Sequence, residues 1–570
     1  MLPQALEGLA SILVLYHLVR RVFGTAAGLF AALFLALTPI AVAVDRSNNT
    51  DTLLVLTLLL AAWASTRAVE TGRGSFLPLA AGLVGIGFNV KMLVAFGVVP
   101  VFVLLYLAGA PLTLRQRIGH LAAAGVVLAA VSLPWTALYE LTPAQNRPFV
   151  DSTRTNSMLD LVVGHNGIQR FVRRARNLPD APTDTAASAT STGGVPDRPA
   201  PPGAGLPPSR DYAPAGPLSL AAPHLAAQMG WLFPLALIGG IAAWARVRPF
   251  RPLAREHLSL SLWARWALCY GSVFSAAGGL FHAYYLVAMA PALCVLAGIG
   301  WLVALWSLYA AGGAASLIFP ATMIVTALWQ GYIVDGYLTG YLAIGEKWLA
   351  PALLSATGLT AAALLVIRPP LRAPAVLLGG LAVSSLLAMP AAWSLGTVLV
   401  EGNTGFPASR PPFLNEAAEA QRRRWSLVAG ALGGDPKLLD FLRGNHQGEA
   451  YLLAAVNARQ AAPIIIATGD PVIALGGFTG RDPILSVDGF AQLVEDHRVR
   501  FALIGDGSPG LRRVFGEDGQ KPLVDWIKQN GRLVDPARWR TATPNRADGR
   551  GAVEAVGTQL YDLRPADDDD

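Results

Sequence analysis

Long apolar runs separated by short polar loops dominate the first 400 residues and decide what this chain can fold into. Only 14% of its residues are charged and 53% are hydrophobic, whereas a soluble domain carries about 25% charged residues. Most of the runs are long enough to cross about 30 Å of hydrocarbon as a helix. The sequence therefore predicts a polytopic α-helical membrane protein with about 12 transmembrane helices. The runs fall near residues 4–19, 25–44, 52–66, 76–90, 92–109, 119–140, 220–244, 259–280, 283–307, 311–332, 348–367 and 373–399.

Arginines follow the odd-numbered runs, which predicts the orientation of the chain. The clusters contain Arg20 and Arg21, Arg67 and Arg73, Arg115 and Arg117, the four arginines from Arg246 to Arg255, and Arg368 and Arg372. Basic loops stay in the cytoplasm, so the other loops and the C-terminal part face outward from the cytoplasmic membrane. The net charge of +7 is explained by these loops, and no nucleic-acid partner is expected.

Beyond residue 400 the composition becomes that of a soluble domain. We predict a transmembrane domain over 1–400 and a small extracytoplasmic α/β domain over 401–570. Within the latter, PKLLDFLRGN and GFAQLVEDH indicate helices, while YLLAAV, PIIIAT, VIAL and RFALIG indicate buried strands. The glycine-rich LGGFTGRDP favours a turn over a phosphate cradle. The outward loop at about 178–219 is rich in Pro, Ala, Gly and Thr, a composition typical of flexible segments.

The densest polar cluster is D-R-S-N-N-T-D, between the second and third runs on the outward face. Asp45 and Asp51 could act as a base, hold a divalent cation or bind sugar hydroxyls, and Arg46 suits a phosphate. Asn48 and Asn49 add hydrogen-bonding amides. Helix caps explain one or two such residues, with Asp51 a natural N-cap, but they do not explain five at a membrane boundary. The cluster therefore favours a site.

Two further outward-facing features accompany this cluster. His282, Tyr284 and Tyr285 open the ninth run; tyrosines at this depth are typical of the aromatic belt, while the histidine could meet a phosphate or a sugar hydroxyl. Lys91 is a lone cation at the outward turn of a helix hairpin that includes Asn89. It could pair with a lipid phosphate or simply extend its charge toward water.

The order D-R-S-N-N-T-D, F-N-V-K-M and F-H-A-Y-Y-L-V-A-M-A-P resembles the multi-spanning GT-C glycosyltransferases. These are grouped with the protein O-mannosyltransferases and the lipid A aminoarabinose transferase. The stretch IIIATGDPVIALGGFTGRDPIL is similar to the C-terminal extracytoplasmic domain of one branch of that superfamily. The resemblance covers essentially the whole chain.

The resemblance implies a polyprenyl-phosphate sugar donor presented from the bilayer and inverting transfer to an extracytoplasmic acceptor. It places Asp45, Asp51, Asn48 and Asn49 around the cavity. Lys91 and His282 would lie near the donor phosphate, and Tyr284 and Tyr285 would flank the lipid path.

Members of the superfamily usually begin with one further helix and an outward loop that holds an acidic catalytic base. This sequence starts after that loop, so we expect a truncated N-terminus or a late start, with Asp45 as the available substitute.

In the mechanism that follows, an outward carboxylate deprotonates an acceptor hydroxyl, which attacks C1 of the sugar while the polyprenyl phosphate leaves. Two alternatives remain open at this point. One is a transporter or flippase for a lipid-linked substrate, although no internal repeat is visible and the polar groups cluster at one edge. The other is an inactive, truncated scaffold of the cell envelope.

Overall fold

The computed structural model separates the chain into two compact units. One contains Met1–Trp135 and Asn166–Asn415, and the other contains Thr136–His165 and Glu416–Asp570. The predicted domain boundary at residue 400 stays a prediction, and most of the loop predicted to be flexible, residues 178–214, lies outside the described residues. The structure describes residues 1–153, 155–171, 215–247, 254–278, 281–338, 349–366, 372–399, 407–409, 435–505, 519–541 and 558–564.

Helices make up almost all of the first unit. In hydrocarbon the backbone N–H and C=O groups have no water to bond, so they must bond to one another. A single apolar segment satisfies them within itself only as a helix. The helices are α1 Leu2–Phe23, α2 Thr25–Ala36, α3 Pro39–Asp45, α4 Asp51–Thr71, α5 Phe76–Lys91, α6 Val99–Gly109, α7 Leu114–Ser132, α8 Pro134–Leu141, α9 Gln169–Phe171, α10 Pro223–Met229, α11 Phe233–Arg246, α12 Arg255–Ala276, α13 Ala290–Ile299, α14 Ser307–Ala311, α15 Ile318–Leu338, α16 Leu349–Val366 and α17 Arg372–Leu399.

Within the described ranges, seven helical segments are long and apolar enough to cross a membrane, or nine if two bent pairs are counted. The bends are 66° between α2 and α3 and 49° between α7 and α8. A proline begins the second helix of each pair, at Pro39 and Pro134, where it cannot continue the preceding hydrogen-bond ladder. The predicted class, a helical multi-pass membrane protein with a small α/β domain, is confirmed.

The chain reverses between α5 and α6, as the predicted hairpin requires. The guanidinium of Arg67, near the end of α4, lies 5.9 Å from the centroid of the Phe76 ring, at the start of α5. A β-carbon on Gly109, the last residue of α6, would lie 2.7 Å from the side chain of Val69. The start of α5 and the end of α6 therefore both lie beside the C-terminal end of α4. The 3₁₀-helical turn that joins α5 to α6, Met92–Val98, lies at the N-terminal end of α4.

Three of the arginine clusters meet at one end of the helices. Arg21, Arg67 and Arg255 all form ion pairs with Glu70. These three clusters therefore lie at the same end of the helices, and the side of the membrane that they face stays a prediction.

The second unit contains a five-stranded mixed sheet in the order β2-β1-β3-β5-β4. β1 is parallel to both neighbours, whereas β5 runs antiparallel to β3 and β4. Apolar side chains cover both faces, with Ile464 and Trp539 on one and Phe490 and Ile527 on the other. Its elements are α18 Pro436–Gly444, β1 Leu453–Ala455, α19 Ala458–Thr468, β2 Val472–Ala474, α20 Val487–Glu495, β3 Phe501–Gly505, α21 Lys521–Asn530, β4 Arg532–Leu533, α22 Pro536–Trp539 and β5 Thr558–Asp562.

One predicted strand of this unit is wrong. PIIIAT forms the end of α19, because Asn457 caps the helix by accepting a bond from the amide of Gln460, and Gly469 ends it in the left-handed conformation at φ 75°. Ile464 is fully buried while Ile466 is 85% exposed. Three consecutive isoleucines imitate a buried strand, although the helix buries only the first completely.

The glycine-rich LGGFTGRDP forms the predicted turn and lies beside two carboxyl groups. Gly477 and Gly480 have φ of 65° and 78°. A β-carbon at Gly477 would lie 2.7 Å from a carboxylate oxygen of Asp482 and 2.8 Å from one of Asp151. The glycine thus leaves room for Asp151, on the segment 136–165, to reach the buried Asp482.

Candidate active site

A buried ion pair joins the start of α4 to the end of α5. The ammonium of Lys91, the last residue of α5, donates to Oδ2 of Asp51, the first residue of α4. The Asp51 side chain is 1% exposed, and its backbone amide donates to Oδ1 of Asn49 at 2.8 Å. Two residues that the sequence singled out separately therefore form one buried charged group.

Aromatic rings surround the same ammonium. Nζ of Lys91 lies 4.4 Å from the ring centroids of both Tyr284 and Tyr285. His282 stacks on Tyr284, with centroids 5.4 Å apart and planes 7° from parallel. Electron-rich ring faces attract a cation strongly where water is excluded. The aromatic residues at 282–285 therefore belong to the Lys91 site as well as to the membrane boundary.

A second cation, Arg170, approaches the site from the segment before α10. Its guanidinium lies 5.5 Å from the centroid of Tyr285 and donates to Oδ1 of Asn166 at 3.1 Å. Asn166 in turn donates to the sulfur of Met92 at 3.1 Å, next to Lys91. The segment around 166–170 is thereby held against the Lys91 turn. Arg170 was missed in the sequence because it is one of several basic residues in a long polar loop. The π-helix over Asp160–Ile168 is a feature that often marks functional sites.

Lys91 and Arg170 line a cavity of about 560 Å³. Lys91, Arg170 and Tyr285 form its polar part, and most of the wall is apolar. An amphiphile with an anionic head and a hydrocarbon chain fits such a cavity. The apolar part includes Val94, Phe96, Pro100, Phe171, Val273, Phe274 and Phe281.

The turn that forms the cavity floor is held in a restricted conformation. Met92 has φ of 42°, a left-handed conformation that is uncommon for a residue with a long side chain. Tyr270 donates its hydroxyl to the carbonyl of Val94 at 2.9 Å, and Gly97 lies against the same ring, where a β-carbon would approach to 2.8 Å. The turn that directly follows Lys91 is therefore fixed by its contacts with Tyr270.

Asp45 ends α3, close to the start of α1. A β-carbon at Gly8 would overlap the Asp45 carboxylate, so the glycine makes room for it. Glu7 is close enough for its charge to act on Asp45, a neighbour that the sequence did not indicate. Asp45 is partly exposed, unlike Asp51. Of the two carboxylates, Asp45 is therefore the one without a buried cationic partner among the described residues.

The other polar residues of this loop bind protein groups. Arg46 donates to the carbonyl of Thr397, near the end of α17, and Asn48 accepts a 3.5 Å bond from Gln4. The predicted phosphate contact of Arg46 and the predicted place of Asn48 around the cavity stay predictions. The part of the chain that the structure describes contains no group of three or more His, Cys, Asp and Glu side chains placed to hold a metal ion. Because Lys91 occupies one oxygen of Asp51, an ion pair is favoured over a cation site there.

The first unit is a bundle of apolar helices with a buried ion pair, Lys91 and Asp51, beside a largely apolar cavity, which defines a multi-pass membrane protein. The comparisons identify the lineage. The sequence profile of the dolichyl-phosphate-mannose-protein mannosyltransferase family matches residues 1–135, and that described as "Putative mannosyltransferase YkcB-like, C-terminal" matches residues 438–530.

Two relatives from Bacillus subtilis (strain 168) match over nearly the whole chain. "Putative mannosyltransferase YycA" is 34% identical over 94% of this chain and 82% of its own length. "Putative mannosyltransferase YkcB" is 31% identical over 96% of this chain and 82% of its own length. The chain belongs to the family of these mannosyltransferase-like membrane proteins, which confirms the predicted relationship to the GT-C glycosyltransferases.

Two crystal structures of ArnT from Cupriavidus metallidurans are similar in arrangement. The apo structure has a TM-score of 0.46 and 15% identity, covering 99% of this chain and 83% of ArnT. The structure bound to undecaprenyl phosphate has a TM-score of 0.43 and 16% identity, covering 99% and 84%.

Proposed function

We propose that this chain transfers a sugar from a polyprenyl-phosphate donor to a hydroxyl group of a cell-envelope acceptor on the extracytoplasmic side. The acceptor is a protein, a glycan or a lipid, and the sugar is a hexose or a pentose. The observation that carries the proposal is the cavity in which Lys91 and Arg170 meet an apolar wall. The names of the relatives make mannose the first sugar to test.

The two cations fit the donor phosphate. Arginine and lysine both bind phosphate, the former through a planar fork of donors and the latter as a point charge. The apolar wall formed by residues such as Phe96 and Phe274 suits the first isoprene units. Both cations lie against the ring of Tyr285, which also lines the cavity.

Asp45 is assigned as the base. It takes the proton of the acceptor hydroxyl while the oxygen attacks C1 of the sugar. The new C1–O bond forms on the face opposite the phosphate, the bond from C1 to the phosphate oxygen breaks, and that oxygen keeps the electron pair. The developing charge on the leaving polyprenyl phosphate is stabilised by Lys91 and Arg170.

Asp51 serves as a positioning residue in this scheme. Its carboxylate is buried and bonded to Lys91, so it holds the ammonium at the cavity edge. His282 and Tyr284 support the same ammonium through ring contacts. Both predicted carboxylates thus keep a role, with proton transfer assigned to the partly exposed one.

The test is a transfer assay on the purified full chain in vesicles that contain radiolabelled polyprenyl-phosphate mannose and envelope extract as acceptor. We expect loss of label from the lipid with the wild-type protein and with D496N, an exposed aspartate of the second unit. D45N should lower the rate by about 10²-fold or more, the contribution of a general base. Undiminished transfer by D45N would remove Asp45 from the mechanism.

A further inference from the structure

The helix that begins at the candidate active site carries a second carboxylate, partly buried, at its other end. Asp51 starts α4 and Glu70 lies 19 residues later, which is about 29 Å along a helix. That distance is close to the roughly 30 Å thickness of the hydrocarbon core. The groups around Glu70 therefore lie at the opposite boundary of the membrane from Lys91.

Three arginines from three helices converge on Glu70. Arg21 of α1 lies 2.6 Å from Oε2, Arg67 of α4 lies 3.2 Å from the same oxygen, and Arg255 of α12 lies 2.9 Å from Oε1. One carboxylate balances one of three positive charges. Each guanidinium has five N–H donors, so the cluster keeps both positive charge and donors beyond those that Glu70 uses.

Glu70 and its three arginine partners line a cavity of about 470 Å³. Its basic rim is formed by Arg21, Arg67 and Arg255, and much of its remaining wall is apolar, including Leu262 and Trp263. Neither the charge nor the apolar wall is explained by sugar transfer at the other end of α4.

We propose that this cavity is a second lipid site, which binds the phosphate of an anionic membrane lipid in the leaflet opposite to the candidate active site. The guanidinium forks match phosphate oxygens in shape and charge, and basic pockets between membrane helices suit anionic head groups. A free phosphate ion shares the head-group chemistry but would leave the apolar wall uncovered. The lipid acyl chain covers it.

The competing explanation is that the ion pairs only hold α1, α4 and α12 together. The two accounts differ in what Glu70 does. If the cluster is purely structural, removal of the Glu70 carboxylate leaves three arginines that repel one another, and binding of an anionic lipid does not increase. In a lipid site Glu70 competes with the phosphate for the same donors, so its removal strengthens binding of the anionic lipid.

The test is native mass spectrometry of the purified full chain with added phosphatidylglycerol or phosphatidylcholine. We expect the wild-type protein to retain phosphatidylglycerol in preference to phosphatidylcholine. This preference should fall about tenfold in R255Q and should increase in E70Q. Arg255 is 62% exposed, so its replacement should leave the fold intact. R115Q, which removes an exposed charge outside the cavity, should behave as the wild type.

Equal retention of the two lipids by the wild-type protein would overturn the proposal, as would an equal loss in R115Q and R255Q. A parallel titration with inorganic phosphate distinguishes the source of the phosphate. If phosphate raises the melting temperature of the wild type but not of R255Q, while both retain phosphatidylglycerol equally, the site binds a free anion and the lipid assignment is wrong.

Discussion

Lys91 and Asp51, 40 residues apart, form a buried ion pair that joins the end of α5 to the start of α4. The pair is surrounded by Tyr284 and Tyr285. Breaking a buried pair leaves an uncompensated charge, whereas replacing both partners removes the charge altogether. This difference separates the structural role of the pair from its role in binding.

We expect K91Q to lose about 3–5 kcal/mol of stability, because Asp51 would be left buried without its cationic partner. The double variant K91Q/D51N should recover most of that loss, since its two amides can bond to each other. Thermal unfolding of the detergent-solubilised chain measures the effect. The double variant should still fail in sugar transfer because the cation at the donor phosphate is absent. Normal transfer by a stable double variant would show that Lys91 is only structural.

Arg170 should matter for transfer more than for folding. It is partly exposed, and its contacts include Asn166 and the ring of Tyr285. We expect R170Q to lower the transfer rate by about 10²–10³-fold, the cost of removing one donor to a developing charge. R73Q, which removes an exposed arginine that follows α4, is the matched control. Equal rates in the two variants would exclude Arg170 from the phosphate site.

Gly8 should be required for the position of Asp45. A β-carbon there would overlap the Asp45 carboxylate, so G8A must displace it. We expect transfer to fall by about tenfold or more in G8A, since small misplacements of reacting groups are costly. The control is G125A in α7, because no atom lies within 4 Å of a β-carbon at that position. If G8A and G125A are equally active, Asp45 does not need its present position.

The two carboxyl groups in the second unit should make its local stability depend on pH. Burial, together with a hydrogen bond and the charge of Asp151, raises the pKa of Asp482 to about 7. A carboxyl with a raised pKa favours the folded state when protonated, so its contribution falls as the pH rises from about 4 to about 7. D482N should remove this dependence.

Hydrogen exchange of the amides around Gly476–Asp482 measures this effect. At pH 8 we expect exchange in D482N to be slower than in the wild type by about tenfold or more, because one pKa unit corresponds to about 1.4 kcal/mol. At pH 4 the two proteins should exchange alike, and D496N should match the wild type at both values. A ratio of the D482N and wild-type exchange rates that stays constant across this pH range would contradict the raised pKa of Asp482.

The membrane architecture could be predicted because hydrocarbon allows little but helices and because arginine loops mark one side. The loop at 45–51, Lys91 and the residues at 282–285 were each recognised as polar groups at the outward boundary. Their assembly into one group depends on the packing of α3, α4 and α5 with the 3₁₀ turn at Ala283–Ala288, and sequence spacing alone does not reveal that packing.

The residues that the sequence missed depend on long-range contacts. Arg170 is bonded to Asn166, which is in turn bonded to Met92 beside Lys91, and Glu7 is a neighbour of Asp45 through the packing of α1 on α3. Arg46 showed the reverse problem, since a phosphate ligand and a donor to the end of α17 have the same sequence pattern. In the second unit, the helix at PIIIAT was set by its caps at Asn457 and Gly469 rather than by its apolar run.

The central claim is that a polyprenyl phosphate binds in the cavity beside Lys91 and Arg170. Photo-crosslinking of the purified full chain with a diazirine-bearing polyprenyl phosphate, followed by mass spectrometry of the labelled peptides, tests it most directly. We predict crosslinks to the cavity wall, in the segments 93–100 and 270–277 and at Phe281, that decline in R170Q but not in R73Q. Crosslinks confined to other parts of the membrane helices, or unchanged in R170Q, would contradict the account.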